Sequence, residues 1–181
     1  MATRAMLAVA LLALFGVACG GSPTPTAAPS TSAAPTADSA TLAYVAMVKA
    51  YWNGILAADG VENGNNAASR ACLGTVSDSA SPDVTLVEPA KCHARVVLLL
   101  AVQQKFHSDD ENTPPPAVFQ QDDRVFETQV PIAIAALQAL LSASATGSKQ
   151  ATFDASNTYV AIMLATVVPA LDRVDPSTHH Y

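Results

Sequence analysis

Residues 39–58 read SATLAYVAMVKAYWNGILAA, and their spacing decides the fold class. Leu42, Val45, Val48 or Lys49, Trp52 and Ile55 recur every three to four positions, which lines them along one face of an α-helix. Tyr44, Met47 and Tyr51 form a flanking row. Asp38 or Ser39 can cap the start of this helix, and Gly60 follows its end. Working outward, the same period returns three times and no run of alternating β-branched residues interrupts it.

A second helix is expected over about 89–107, with Pro89 at a first helical position. Val96–Val102 reads VVLLLAV, apolar all round, which predicts a central helix. The polar stretch His107–Asn112 reads as a solvated loop. The third helix starts after Thr113, with Pro114–Pro116 setting its first turn. Its stripe takes in Val118 or Phe119, Asp122, Val125 or Phe126, Gln129 or Val130, Ala133, Leu137, Leu140 and Leu141. Pro131 lies inside that stripe and either kinks the helix or divides it in two. Gly147 ends it. Ser148 caps a fourth helix over about 149–173, with Phe153, Asn157 or Tyr159, Ile162 or Met163, Thr166 or Val167 and Ala170 or Leu171 along its stripe. Four apolar-striped helices predict an all-α, antiparallel four-helix bundle over 38–176, with a flexible tail at 177–181. Between the first two helices runs a long irregular stretch, 59–84, broken by Asn63-Gly64 and Ser81-Pro82, with room for a short helical turn near 67–73.

Only 13% of the residues are charged, and half are hydrophobic. The 181-residue chain therefore has ample material for one core. The formal charge is −6, and no Lys/Arg cluster occurs after Arg4. Nucleic-acid binding needs a basic footprint, and none is present. Recruitment to anionic lipid through a polybasic patch is discounted for the same reason.

The N-terminus has a different composition. Arg4 precedes an uninterrupted apolar run, Ala5–Val17, that is shorter than the ~20 residues of a spanning helix and suits a secretory leader. Gly16-Val17-Ala18-Cys19 then resembles the lipobox of bacterial lipoproteins, in which small residues lie extended in the peptidase and the cysteine sulfur takes the diacylglyceryl group. Gly16 stands where that family usually has Leu. Residues 20–37 are free of charge and rich in Pro, Ser, Thr and Ala, a composition that stays extended. At roughly 3 Å per residue this tether would reach about 50 Å. Its bias resembles lipoproteins of high-GC bacteria such as actinobacteria. The resemblance covers residues 1–37 and implies cleavage before Cys19, a lipid on Cys19, and a place on the extracytoplasmic face of the cell membrane.

Lipidation of Cys19 leaves Cys72 and Cys92, the remaining two of three cysteines, as a pair. Outside the cytoplasm such a pair is expected to be a disulfide, stapling the long loop to the second helix. Closing a loop of that size is worth about 3 kcal/mol.

Catalytic patterns are absent from the sequence. There is no GxSxG elbow, no Glu-x-x-His and no CxxC. Lys91-Cys92-His93 holds the end of a c-type haem attachment motif, but Pro89 stands where its first cysteine belongs; His93 is expected to be a polar residue beside the disulfide. Glu127 and Asp123 are one turn apart and read as a solvated helix face. The acidic stretch 107–112 lacks the spaced ligands and central glycine of a calcium loop. No cofactor or metal ligand set is assigned. Tyr44, Met47, Tyr51, Trp52, Phe126 and Tyr159 are the candidates for an apolar pocket between helices, with a filled aromatic core as the competing expectation. Three functions follow in order: a tethered interaction module for an envelope partner, a carrier or sensor of a small apolar ligand, and an enzyme or metalloprotein.

Overall fold

Tyr44, Val48, Tyr51, Ile55 and Ala58 are buried on the first helix at alternating four- and three-residue spacings, with Trp52 beside them. The computed structural model describes residues 38–60, 67–76 and 81–178. The expected leader, Cys19, the tether and residues 179–181 lie outside the described residues. Helix α1 spans Ser39–Asp59; Asp38 Oδ1 accepts from the Thr41 amide at 2.7 Å at its start, and Gly60 closes it. That bond to the helix amide holds the Asp38 carboxyl below its usual range. The inward face of α1 thus combines Val48, Trp52 and Ile55 of the expected stripe with Tyr44 and Tyr51 of the row flanking it, while Leu42 is 59% exposed. Both rows obey the helical period, so the neighbouring helices set where the buried face is centred between them.

The long connection is partly helical. Helix α2, Ala67–Leu73, buries Ala68, Ala71, Cys72 and Leu73. Asp59 Oδ1, at the end of α1, accepts from the amides of Ala68 and Ser69 at 3.1 and 3.2 Å and so satisfies donors at the start of α2. Cys72 is disulfide-bonded to Cys92, with their Cα atoms 4.8 Å apart. The bridge does not act alone, because Leu73 and Val87 are also buried. Backbone bonds from the amides of Asp83 and Glu88 to the carbonyls of Leu73 and Ala71 close the segment onto itself. A 3₁₀ turn, Val84–Leu86, leads into α3.

Helix α3, Pro89–Glu111, runs one turn past its expected end. Cys92, Val96, Leu99, Gln103, Phe106 and Asp110 are buried, at the alternating spacing of a seam that packs between helices. Its apolar centre is not enclosed on all sides: Val97 and Leu98 are each 48% exposed. Helix α4, Gln120–Ala145, follows a 3₁₀ turn at Ala117–Phe119 and continues unbroken through Pro131. The division into two helices at that proline is therefore absent. Asp123, Phe126, Val130, Ala133, Leu137, Leu140 and Ser144 carry its seam.

Helix α5, Lys149–Ile162, starts with Ser148 Oγ accepting from the Ala151 amide. It passes through a wide turn, Met163–Val167, in which the Val168 amide reaches back five residues to the Met163 carbonyl, and continues as α6, Val168–Val174. The sequence pattern gave one regular helix here and overlooked Pro169. That proline has no N–H for the carbonyl four residues earlier, and a widened turn absorbs the mismatch. Met163, Val167, Ala170, Leu171 and Val174 are buried along this rod and Arg173 is exposed, so the expected stripe passes through the widened turn. Beyond α6, Ser177, expected in a loose tail, donates through both its amide and its hydroxyl to Asp175 Oδ1.

Helix α1 packs on α3, α3 on α4, and α4 on α5; α6 packs on α4 and α1, while α2 lies against α3 and α5. Among the described residues every regular element is helical. The centre is aromatic. Tyr51 stacks on Phe106 with ring centroids 3.9 Å apart, and Phe106 meets Phe126 edge-on at 5.3 Å.

Candidate functional site

The six side chains expected around an apolar pocket separate into two groups. Tyr44, Tyr51, Trp52, Phe126 and Tyr159 belong to the buried core and fill it. Met47 is half-buried, and only Met47 and Tyr51 of the six border the shallow cleft of about 110 Å³ between α1 and α3, beside Gly54, Val102 and Phe106. The rings pack directly on one another, Tyr51 on Phe106 and Phe106 on Phe126. Helical spacing is the same for either use, so periodicity alone does not separate them.

Within the core lies a polar chain that the pattern did not single out. The Tyr51 hydroxyl donates to Gln103 Oε1 at 2.7 Å, and Gln103 Nε2 faces the Tyr159 hydroxyl at 3.1 Å and Met163 Sδ at 3.4 Å. Gln103 is fully buried. Burial pushes the Tyr51 hydroxyl well above its ordinary range, so it stays a donor. One amide thus ties α1, α3 and the α5–α6 rod at one level.

The second polar group is at the end of the domain where α3 finishes and α4 begins. Asp110, Asp122 and Asp123 are all buried. Asp123 Oδ1 accepts from the Tyr44 hydroxyl at 2.9 Å. Asp122 Oδ1 accepts from Arg173 Nε at 2.7 Å. The Tyr44 ring also stacks on Phe119, centroids 5.8 Å apart. Burial and the adjacent carboxylates push the Tyr44 hydroxyl upward, which keeps its proton in place for Asp123. This arrangement overturns two expectations. Asp123 is not on a solvated face, although Glu127 is exposed, and Asp110 is not in a solvated loop. The signal was present: Asp110 continues the seam of Leu99, Gln103 and Phe106, and Asp123 begins that of Phe126 and Val130. Ordinary polarity rules hid it.

His93, next to the bridged Cys92, places Nδ1 3.0 Å from Ser144 Oγ. The Ser144 hydroxyl also lies 2.9 Å from the Leu141 carbonyl of its own helix, which can accept its proton. No group of three or more His, Cys, Asp or Glu side chains is arranged to hold a metal ion among the described residues. Two stretches, Ala117–Ala145 and Lys149–Val174, are long and apolar enough to cross a membrane, and a third of each apolar window is buried inside the domain.

The chain matches no family model, no curated protein and no solved structure.

Proposed function

We propose that this chain is a lipid-anchored protein of the extracytoplasmic face, whose helical domain is a non-enzymatic interaction module for another component of the cell envelope. The apolar run Ala5–Val17 followed by Gly16-Val17-Ala18-Cys19 carries the anchor. The charge-free tract 20–37 supports it as a tether. The Cys72–Cys92 bridge fits an oxidising compartment. In this reading the membrane contact is the lipid on Cys19, and neither a cofactor nor a nucleic-acid partner is invoked.

The domain is read as an antiparallel four-helix bundle, with α5 and α6 as one rod. Three pairs support the alternation. Gly60 at the end of α1 lies beside Arg95 near the start of α3, His93 near the start of α3 meets Ser144 near the end of α4, and Asp122 at the start of α4 meets Arg173 at the end of α6. The alternative function, carriage of a small apolar ligand, has the cleft at Met47 and Tyr51 in its favour. That cleft, at about 110 Å³, falls short of the roughly 300–1,000 Å³ of small-molecule sites, so the interaction module is the stronger reading.

Cys19→Ser tests the anchor. The parental protein is expected in the detergent phase of the membrane fraction and the variant in the aqueous phase. Identical partitioning of the two would overturn it. Chemical cross-linking in the native envelope, followed by capture of the chain, then identifies the partner.

A further inference from the structure

The three buried aspartates at the α3–α4 end are not equivalent. Asp122 has a counter-charge in Arg173. Asp123 has a neutral donor in Tyr44. Asp110 Oδ1 accepts from no donor among the described residues, although the residue is only 8% exposed. The groups facing Asp110 come from every neighbouring element. They are Tyr44 from α1, Glu111 on α3 itself, and Asp123 and Glu127 from α4. Behind them, Glu111 lies 3.5 Å from His107, and Asp122 takes up Arg173. The charged groups acting directly on Asp110 are thus all acidic.

An ionised carboxylate in that position keeps its buried Oδ1 without a donor and faces only acidic groups, which is costly. A protonated Asp110 is a donor, and Asp123 is the acceptor beside it. We propose that Asp110 and Asp123 share one proton and so form a pH-operated latch between the end of α3 and the start of α4. Burial, then the charges of Asp123 and Glu127, push Asp110 up to about 7. When the proton leaves, two carboxylates face each other across the helix junction. The connection 112–119 yields first, because its attachments converge on the same residues. The Thr113 amide donates to the Asp110 carbonyl, and Phe119 stacks on Tyr44, whose hydroxyl holds Asp123. The latch belongs to the helical domain and is independent of the anchor.

The sign follows from proton linkage. Asp110 is raised from 3.8 to about 7 in the folded state, so the folded chain binds the extra proton between those values. Its contribution to stability is complete below about pH 4 and is lost as the pH rises through about 7. Urea unfolding of the full chain from pH 5 to 8, alongside Asp110→Asn, reads this directly. The ratio of wild-type to variant unfolding constants is expected to rise about tenfold per pH unit up to about 7 and then level off. Hydrogen exchange over 110–119, corrected for its intrinsic pH dependence, is expected to speed up over the same range in the wild type alone. A ratio independent of pH overturns the latch. Carbon-13 titration of the Asp110 carboxyl in the wild type decides the matter even if the variant fails to fold: a midpoint near 7 supports the shared proton, and one near 4 refutes it.

Discussion

The Tyr51 hydroxyl donates to Gln103 Oε1 at 2.7 Å inside a core otherwise built from aromatic and aliphatic side chains. A buried amide is expensive unless its donors and acceptor are used, and here Tyr51, Tyr159 and Met163 use them. The arrangement pins one level of α1, α3 and α5–α6 together. A purely apolar seam would tolerate sliding by a turn.

Gln103→Met keeps the volume and removes the acceptor of the Tyr51 hydroxyl. It is expected to lower the unfolding free energy by ~1–3 kcal/mol. Tyr51→Phe in the same background is expected to cost less than it does in the wild type, since its hydroxyl then has nothing to lose. A double-mutant cycle in urea measures the coupling, and additive effects would refute the network.

The Cys72–Cys92 bridge closes a loop of 20 residues. Reduction is expected to cost ~2–4 kcal/mol and to release 67–88 before the main helices. Unfolded, unreduced protein is expected to show no reactive thiol at either position. Stoichiometric labelling there would contradict the bridge, and hydrogen exchange before and after reduction locates the released segment.

Gly74 and Gly147 both have positive φ, +65° and +75°, but their surroundings differ. A Cβ on Gly74 would lie 1.8 Å from the Asp83 carbonyl oxygen, whereas a Cβ on Gly147 meets nothing within 4 Å. Gly147→Ala is expected to cost only the ~1–2 kcal/mol of a left-handed alanine. Gly74→Ala must also push the 81–88 strap away from α2 and is expected to cost distinctly more. Thermal unfolding of the two variants side by side checks the order.

Arg173→Met leaves Asp122 buried without its counter-charge. The arginine is 54% exposed and the aspartate 10% by side chain, so the pair is partly screened and the expected loss is ~1–2 kcal/mol. Restoring neutrality with Asp122→Asn in the same chain is expected to recover part of it, as read from urea midpoints at pH 7.

Much of the domain was legible from periodicity. The start of α1 at Asp38, of α3 at Pro89 and of α5 at Ser148 followed from capping and proline chemistry, which are local. The bridge followed from cysteine count once the lipobox resemblance took Cys19 away. The end of α3 and the widened turn before Pro169 were missed because polarity at Asp110 outweighed the seam, and because one extra residue in a turn leaves hydrophobic spacing nearly unchanged.

What the chain alone determined is helix, cap, turn and pairing, because each depends on residues close in sequence or on simple counting. Where the buried face of a helix is centred was decided only in three dimensions. Tyr44 rather than Leu42 is buried because α3, α4 and α6 lie on that side, and no property within α1 distinguishes the two positions. The same holds for Asp110, Asp122 and Asp123. Their burial depends on Tyr44, Arg173 and one another, contributed by helices 50 or more positions apart in the case of Arg173 and Asp122, separated by 51 residues. A polar residue is tolerated inside only when a distant partner arrives to meet it, and that partner is set by packing.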